Sequence, residues 1–148
     1  MNNMPRIIWI GRHEGLLRDI SRGVAYGDKQ AIRIAACVMR GWIADGSVLV
    51  PMPSHIGYAT TSLMLCRELK RINHSYRVMD ILRCEPHPSN HEEKMDGRFP
   101  TAFTTYIKGE ITPPQNAYII DNCVGTGTTA LSALSAMPDA IVFAITKG

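Results

Sequence analysis

No stretch of the 148-residue chain approaches the roughly 20 consecutive apolar residues needed to cross a bilayer, and the opening Met1 to Arg6 lacks a signal-peptide core. A cytoplasmic protein without membrane attachment is predicted. Cysteine is scarce as well: Cys37, Cys66, Cys84 and Cys123 are far apart in sequence. Cys37 and Cys66 fall on the apolar faces of expected helices, which predicts reduced core thiols and excludes a disulfide framework. An excess of one charge sign is nearly missing. A formal net charge of +3 suits a small anionic ligand and is too weak to argue for nucleic-acid binding. Six basic residues, Arg67, Lys70, Arg71, Arg77, Arg83 and Lys94, gather between positions 67 and 94, where they read as a solvated face.

With 45% hydrophobic and 20% charged residues, the composition is that of one compact domain spanning residues 1–148, with nothing to indicate disorder or a second core. Its patterning is a β-α-β rhythm. A strand is expected at Ile7 to Ile10 and a helix from about Leu16 to Arg22. A longer helix begins near Asp28, a natural N-cap, with Ile32, Ala35, Met39, Trp42 and Ile43 on one face. Strands follow at Val48 to Val50 and Tyr76 to Met79, flanking a helix over Tyr58 to Ile72 on which Tyr58, Ser62, Leu65, Cys66 and Leu69 align. Tyr118 to Ile120, a helix after Gly127 and a strand at Ala140 to Ile145 complete the series. The expectation is an α/β protein, a three-layer doubly wound and mostly parallel sheet with ligands at the strand carboxyl ends.

The stretch from Ala117 to Thr129, A-Y-I-I-D-N-C-V-G-T-G-T-T, carries the chemistry. A short apolar strand delivers Asp121 and Asn122 at its carboxyl end. Gly125 and Gly127 then allow positive φ and close backbone approach, while Thr126, Thr128 and Thr129 bring hydroxyls. Ala130, Leu131, Ala133, Leu134 and Met137 continue with helical spacing, so the turn ends at a helix N-terminus, where free N–H groups and the dipole attract an anion. A plain strand-to-helix turn has some of these residues but seldom all. The loop lacks the Lys of a P-loop and the G-x-G-x-x-G of a dinucleotide fold.

On these residues the chain resembles the type I phosphoribosyltransferases, whose signature is an apolar strand, two acidic residues, a few variable positions, then Thr-Gly and a further Thr. Asp121, Asn122, Thr126, Gly127 and Thr129 fall on that pattern, with an amide in place of the second acid. Further matches are similar to the ComF-like, competence-associated branch: Glu14 to Asp28, Val48 to Pro53, Ile56 to Thr60, Asp80 to Arg83 and Met95 to Phe103. The resemblance implies that Asp121 and Asn122 contact the ribose hydroxyls of phosphoribosyl pyrophosphate, and that Gly125, Thr126, Gly127, Thr128 and Thr129 wrap its 5′-phosphate. It also implies Mg2+ supported at Asp121, and leaving-group contacts from Ser54 and His55 in the loop after Val48 to Val50. In that loop Ile56 stands where the branch has Arg.

Between Leu82 and Gln115 the rhythm breaks into a segment with Pro86, Pro88, Pro100, Pro113 and Pro114, enclosing a strand pair around Ala102 to Ile107. Long irregular insertions in a small domain are usually functional or mobile, and by the resemblance this is a flexible hood over the substrate, at about residues 82–115. Arg83, Lys94 and above all Arg98 are the candidates to neutralise pyrophosphate. Cys84, His87 and His91 have spacing close to that of metal ligands but lack an evident fourth partner, and a polar loop is the plainer reading. The implied activity is transfer of ribosyl 5-phosphate to a nitrogen nucleophile with release of pyrophosphate. Its acceptor is unspecified, and a homodimer is implied by family analogy alone. A non-catalytic phosphoribosyl pyrophosphate or nucleotide sensor, and a competence-related accessory protein, are the alternatives.

Overall fold

The computed structural model describes residues 6–89 and 103–148. Its centre is a five-stranded sheet in the order β1-β7-β6-β2-β3, with every neighbouring pair parallel. The strands are β1 (Ile7–Arg12), β2 (Val48–Pro51), β3 (Arg77–Val78), β6 (Ala117–Val124) and β7 (Ile141–Lys147). A separate antiparallel pair joins β4 (Leu82–Cys84) to β5 (Thr105–Ile107). The helices are α1 (Gly15–Ala25), α2 (Lys29–Arg40), α3 (Thr61–Ile72) and α4 (Thr128–Ala136).

The strand order dictates where the helices lie. Crossovers between parallel strands are right-handed, so the direction of travel along the sheet decides the face that the connection covers. From β1 to β2 and from β2 to β3 the chain moves one way, and α1, α2 and α3 share one face. From β3 back to β6, and from β6 to β7, it moves the other way. The β4–β5 pair and α4 accordingly cover the opposite face.

Both faces are apolar because β6 and β7 lie inside the sheet. Ile120, Phe143 and Ile145 pack with Val24, Ile32, Met39, Leu65 and Leu69 under α1 to α3. Ile119 and Val142 pack with Val50, Met52, Ala130, Ala133 and Met137 under α4. Each such large side chain, fully withdrawn from water, contributes about 1.5–3 kcal/mol, so this double core fixes the register of the strand that carries Asp121.

Asp28 caps α2, its carboxylate accepting the Gln30 N–H at 3.1 Å. Ile32, Ala35, Met39 and Ile43 are buried as expected, whereas Trp42 lies just past the helix and is half exposed. Ser62, Leu65, Cys66 and Leu69 form the buried face of α3; Tyr58 precedes the helix and is exposed. One thiol expectation fails. Cys66 is buried, but Cys37 is exposed, since it sits beside Val38 on the outward side of α2. Of the strand pair expected around Ala102 to Ile107, the described residues form one strand, Thr105–Ile107, and its partner is Leu82–Cys84, at the very start of the segment read as irregular.

Candidate functional site

The chain leaves β2 toward β3 and leaves β6 toward β7, in opposite directions across the sheet. The loops after these two adjacent strands therefore diverge, opening a crevice at the strand carboxyl ends where α/β proteins bind ligands. Residues 52–60 and 125–127 are the loops that follow these two strands.

β6 runs on to Val124, four residues beyond the apolar run that announces it. Asp121 and Asn122 thus lie within the strand, where successive side chains point to opposite faces. Asp121 shares the face of Ala117 and Ile119, on the side of α4. Its Oδ1 accepts the Asn122 backbone N–H at 2.8 Å, and among the described residues no cation pairs with it. The residue is half-buried by area, yet protein surrounds the carboxyl closely. Burial pushes its pKa up to about 7, with the Asn122 N–H pulling weakly the other way. A desolvated acid within a central strand, without a cation to neutralise it, makes Asp121 a candidate functional residue.

Asn122 faces α1. Its amide lies 3.3 Å from the Ser21 carbonyl and 3.4 Å from the Ser21 hydroxyl, and its own carbonyl accepts the Ser21 O–H at 3.1 Å. The Thr146 hydroxyl donates to Ser21 Oγ at 3.2 Å, and His13 Nδ1 is 2.8 Å from Thr146 Oγ1. The direction of the chain follows from its end. A carbonyl can only accept, so Ser21 donates to it, Thr146 donates to Ser21, and His13 donates through Nδ1–H, leaving Nε2 as the acceptor nitrogen. Burial, then Arg22 and Arg18, hold the His13 imidazole below its ordinary value. Cys123 Sγ is 3.8 Å from the same Nδ1. Strand alternation thus sets the side chains of Asp121 and Asn122 on opposite faces, with the Asn122 Nδ2 turned toward Ser21.

Gly127 adopts φ 91°, the left-handed conformation that admits glycine freely, and turns the loop into α4 without any side-chain cap. Space around both Gly125 and Gly127 is open. The Thr126 and Thr128 hydroxyls bond each other at 3.0 Å, while Thr129 is half-buried in the first turn. No acidic residue occupies that turn. The loop also gains a cation that its own sequence lacks. Lys147 reaches in from β7, its Nζ 3.1 Å from the Gly125 carbonyl and 5.8 Å from the centre of the Trp9 ring.

On the β2 side, the Ser54 hydroxyl donates to the Tyr58 carbonyl at 3.0 Å, and the Ser54 carbonyl accepts the Gly57 N–H at 3.0 Å. Ser54 therefore ties the loop together. His55 is exposed, its ring 6.5 Å edge-on from His87, which stacks on Phe103 at 3.7 Å. Arg83 is held by Asp80 at 3.0 Å and by the Leu82 carbonyl at 2.8 Å, which removes it as a free pyrophosphate ligand. Lys94, Arg98 and His91 lie outside the described residues.

No family model, curated protein or solved structure matches this chain. What the site can do rests on its chemistry. A loop of backbone N–H groups at an uncapped helix start takes a phosphate, and an adjacent carboxylate accepts hydroxyl hydrogens. Among the described residues no three His, Cys, Asp or Glu side chains converge as metal ligands. The single carboxylate of Asp121 is compatible with Mg2+, which keeps most of its waters and binds through one or two carboxylates plus substrate phosphates. Sequence reasoning missed His13, Ser21, Thr146 and Lys147; the one available signal was a lone threonine and lysine closing the apolar run of β7.

Proposed function

We propose that this chain is a phosphoribosyltransferase of the three-layer, doubly wound type I architecture, acting on phosphoribosyl pyrophosphate and a nitrogen nucleophile. The observation that carries the reading is the succession along β6: an unpaired, desolvated Asp121, then the left-handed Gly127 at the uncapped start of α4. The 5′-phosphate occupies the loop, accepting N–H bonds from residues 125–129 and the hydroxyls of Thr126 and Thr128. Asp121 accepts a ribose hydroxyl and, once ionised, stabilises the cationic sugar that forms as pyrophosphate departs. Bound Mg2+ would neutralise pyrophosphate and ribose oxygens, with Asp121 as its protein contact. The β2 loop, with His55 at its rim, lies on the leaving-group side.

A second reading, a phosphoribosyl pyrophosphate sensor without turnover, is supported by Asn122, which brings no negative charge and whose amide already serves Ser21. Calorimetric titration with phosphoribosyl pyrophosphate and Mg2+ tests both. Binding by the intact protein that weakens at least tenfold in Asp121→Ala is expected; equal binding by the two proteins would overturn the site. Pyrophosphate release in an acceptor screen separates enzyme from sensor.

A further inference from the structure

We propose that Lys147 is the phosphate-neutralising residue of the loop at residues 125–129: its ammonium, bonded to the Gly125 carbonyl, transfers to the oxygens of a phosphate monoester that enters the loop. The inference rests on the phosphoribosyltransferase reading for the place of the phosphate and for nothing else. Pairing of β7 with β6 brings the lysine there. Lys147 stands opposite Val124, the residue immediately before Gly125, one strand spacing of about 4.8 Å away. Its backbone is held from the other side, the His13 N–H donating to the Lys147 carbonyl at 2.9 Å. Its Nζ reaches the Gly125 carbonyl at 3.1 Å, with the Gly148 carbonyl farther off at 3.4 Å, and lies 5.8 Å from the centre of the Trp9 ring.

Trp9 tells which side of the sheet this is. Ile8 and Ile10 pack beneath α1 to α3 and Ile7 packs on the α4 side, so alternation along β1 turns Trp9 to the α4 side, which is also the side of Asp121. The ammonium over Trp9, the loop that enters α4 and the Asp121 carboxylate therefore share one face of the sheet at its carboxyl edge. Charge gives the lysine a role there. α4 starts without a side-chain cap and without an acid in its first turn, so the positive end of its dipole is unanswered. Lys147 adds a full positive charge beside it, and among the described residues no Asp or Glu side chain pairs with that ammonium. A dianionic phosphate answers both, taking N–H bonds from the helix start and a charge-assisted bond from Lys147. Space beside Gly125 and Gly127 is open for its oxygens. An ammonium carries three N–H donors, so Lys147 can keep a carbonyl contact while it turns to the ligand. A P-loop holds such a lysine in its own sequence; here the neighbouring strand delivers it.

Trp9 also supplies the readout, because the chain has two tryptophans and Trp42→Phe leaves Trp9 alone. Inorganic phosphate and ribose 5-phosphate are titrated into the full chain in that background, with ribose as the uncharged control. The expected result is a saturable change in Trp9 emission with both phosphates and none with ribose. Calorimetric affinity for both phosphates should fall about 10- to 100-fold in Lys147→Met, the worth of a hydrogen bond to a charged group, and largely recover in Lys147→Arg. Lys29→Met, which removes the same charge from the start of α2, should leave affinity within about twofold, as expected of a screened surface charge. Equal affinity in Lys147→Met and the parent, an equal loss in Lys29→Met, or constant Trp9 emission while calorimetry shows phosphate bound would each overturn the proposal. The emission test keeps the native lysine, so it decides the matter even where Lys147→Met does not fold. Lys147-dependent binding of inorganic phosphate by a chain that does not bind phosphoribosyl pyrophosphate would uphold this inference and overturn the ribosyl reading. Phosphoribosyl pyrophosphate binding that depends on Asp121 but not on Lys147 would do the reverse.

Discussion

Ser21 and Asp121 show how much rests on single side chains at the strand tips. Ser21 is fully buried, donates to the Asn122 carbonyl and accepts from Thr146. Ser21→Ala leaves both partners short of a bond, and is expected to cost about 1–3 kcal/mol in urea unfolding. It should also shift the His13 titration, since the imidazole loses the chain that fixes its tautomer; an unchanged midpoint would show that the network is not continuous. Asp121→Asn preserves shape but removes the charge. Binding of ribose 5-phosphate with Mg2+ should weaken about 10- to 100-fold, the worth of a hydrogen bond to a charged group.

Among the elements, two turns bend the loops that follow β2 and β6. Gly127 has open space but φ 91°, so Gly127→Ala meets no clash and is disfavoured by backbone conformation alone, about 1–2 kcal/mol. Gly57 differs: φ is 111° and an added Cβ would stand 3.0 Å from the Cys84 carbonyl. Gly57→Ala is expected to lose more stability, about 2–3 kcal/mol, because the β2 loop must also part from β4. Thermal melts of the two variants side by side check the order. These elements differ in how plainly the residues announce them. α2 was legible because Asp28 and the 3.6-residue spacing of Ile32, Ala35 and Met39 agree. The end of β6 was not, since Asp121, Asn122 and Cys123 are polar or small and hold strand geometry because β7 pairs alongside as far as Lys147. β4, three residues beside prolines, alternates in burial but is too short for that alternation to stand out. The Ser21–Asn122 contact spans 101 residues, a separation that local pattern cannot report.

For the molecule as a whole, pH is the most direct lever. Asp121 holds its proton more tightly folded than unfolded, so it contributes full stability below about pH 4 and loses that contribution as pH rises through about 7. His13, held low, acts oppositely: its contribution is complete above its ordinary value of 6.5 and disappears as pH falls through the folded one. Asp121→Asn should therefore be the more stable protein at pH 8, on the order of 2 kcal/mol after allowance for solvent screening at a half-buried group. The gap should close near pH 4, and a constant gap across chemical-denaturation curves would contradict it. Phosphoribosyl pyrophosphate binding should strengthen as pH rises through 7, when Asp121 ionises.

The stack of His87 on Phe103 has a further meaning for redesign. Position 87 and position 103 meet ring to ring, and Ser132 on α4 fastens the downstream side, donating to the Phe103 carbonyl at 3.0 Å beside a 2.7 Å contact with Thr105. The two ends of the intervening stretch are thus already anchored to the rest of the protein. Loss of the stack at either position is therefore felt on β4, β5 and α4 together, which makes it a clasp between positions that lie beyond the strand pairing itself.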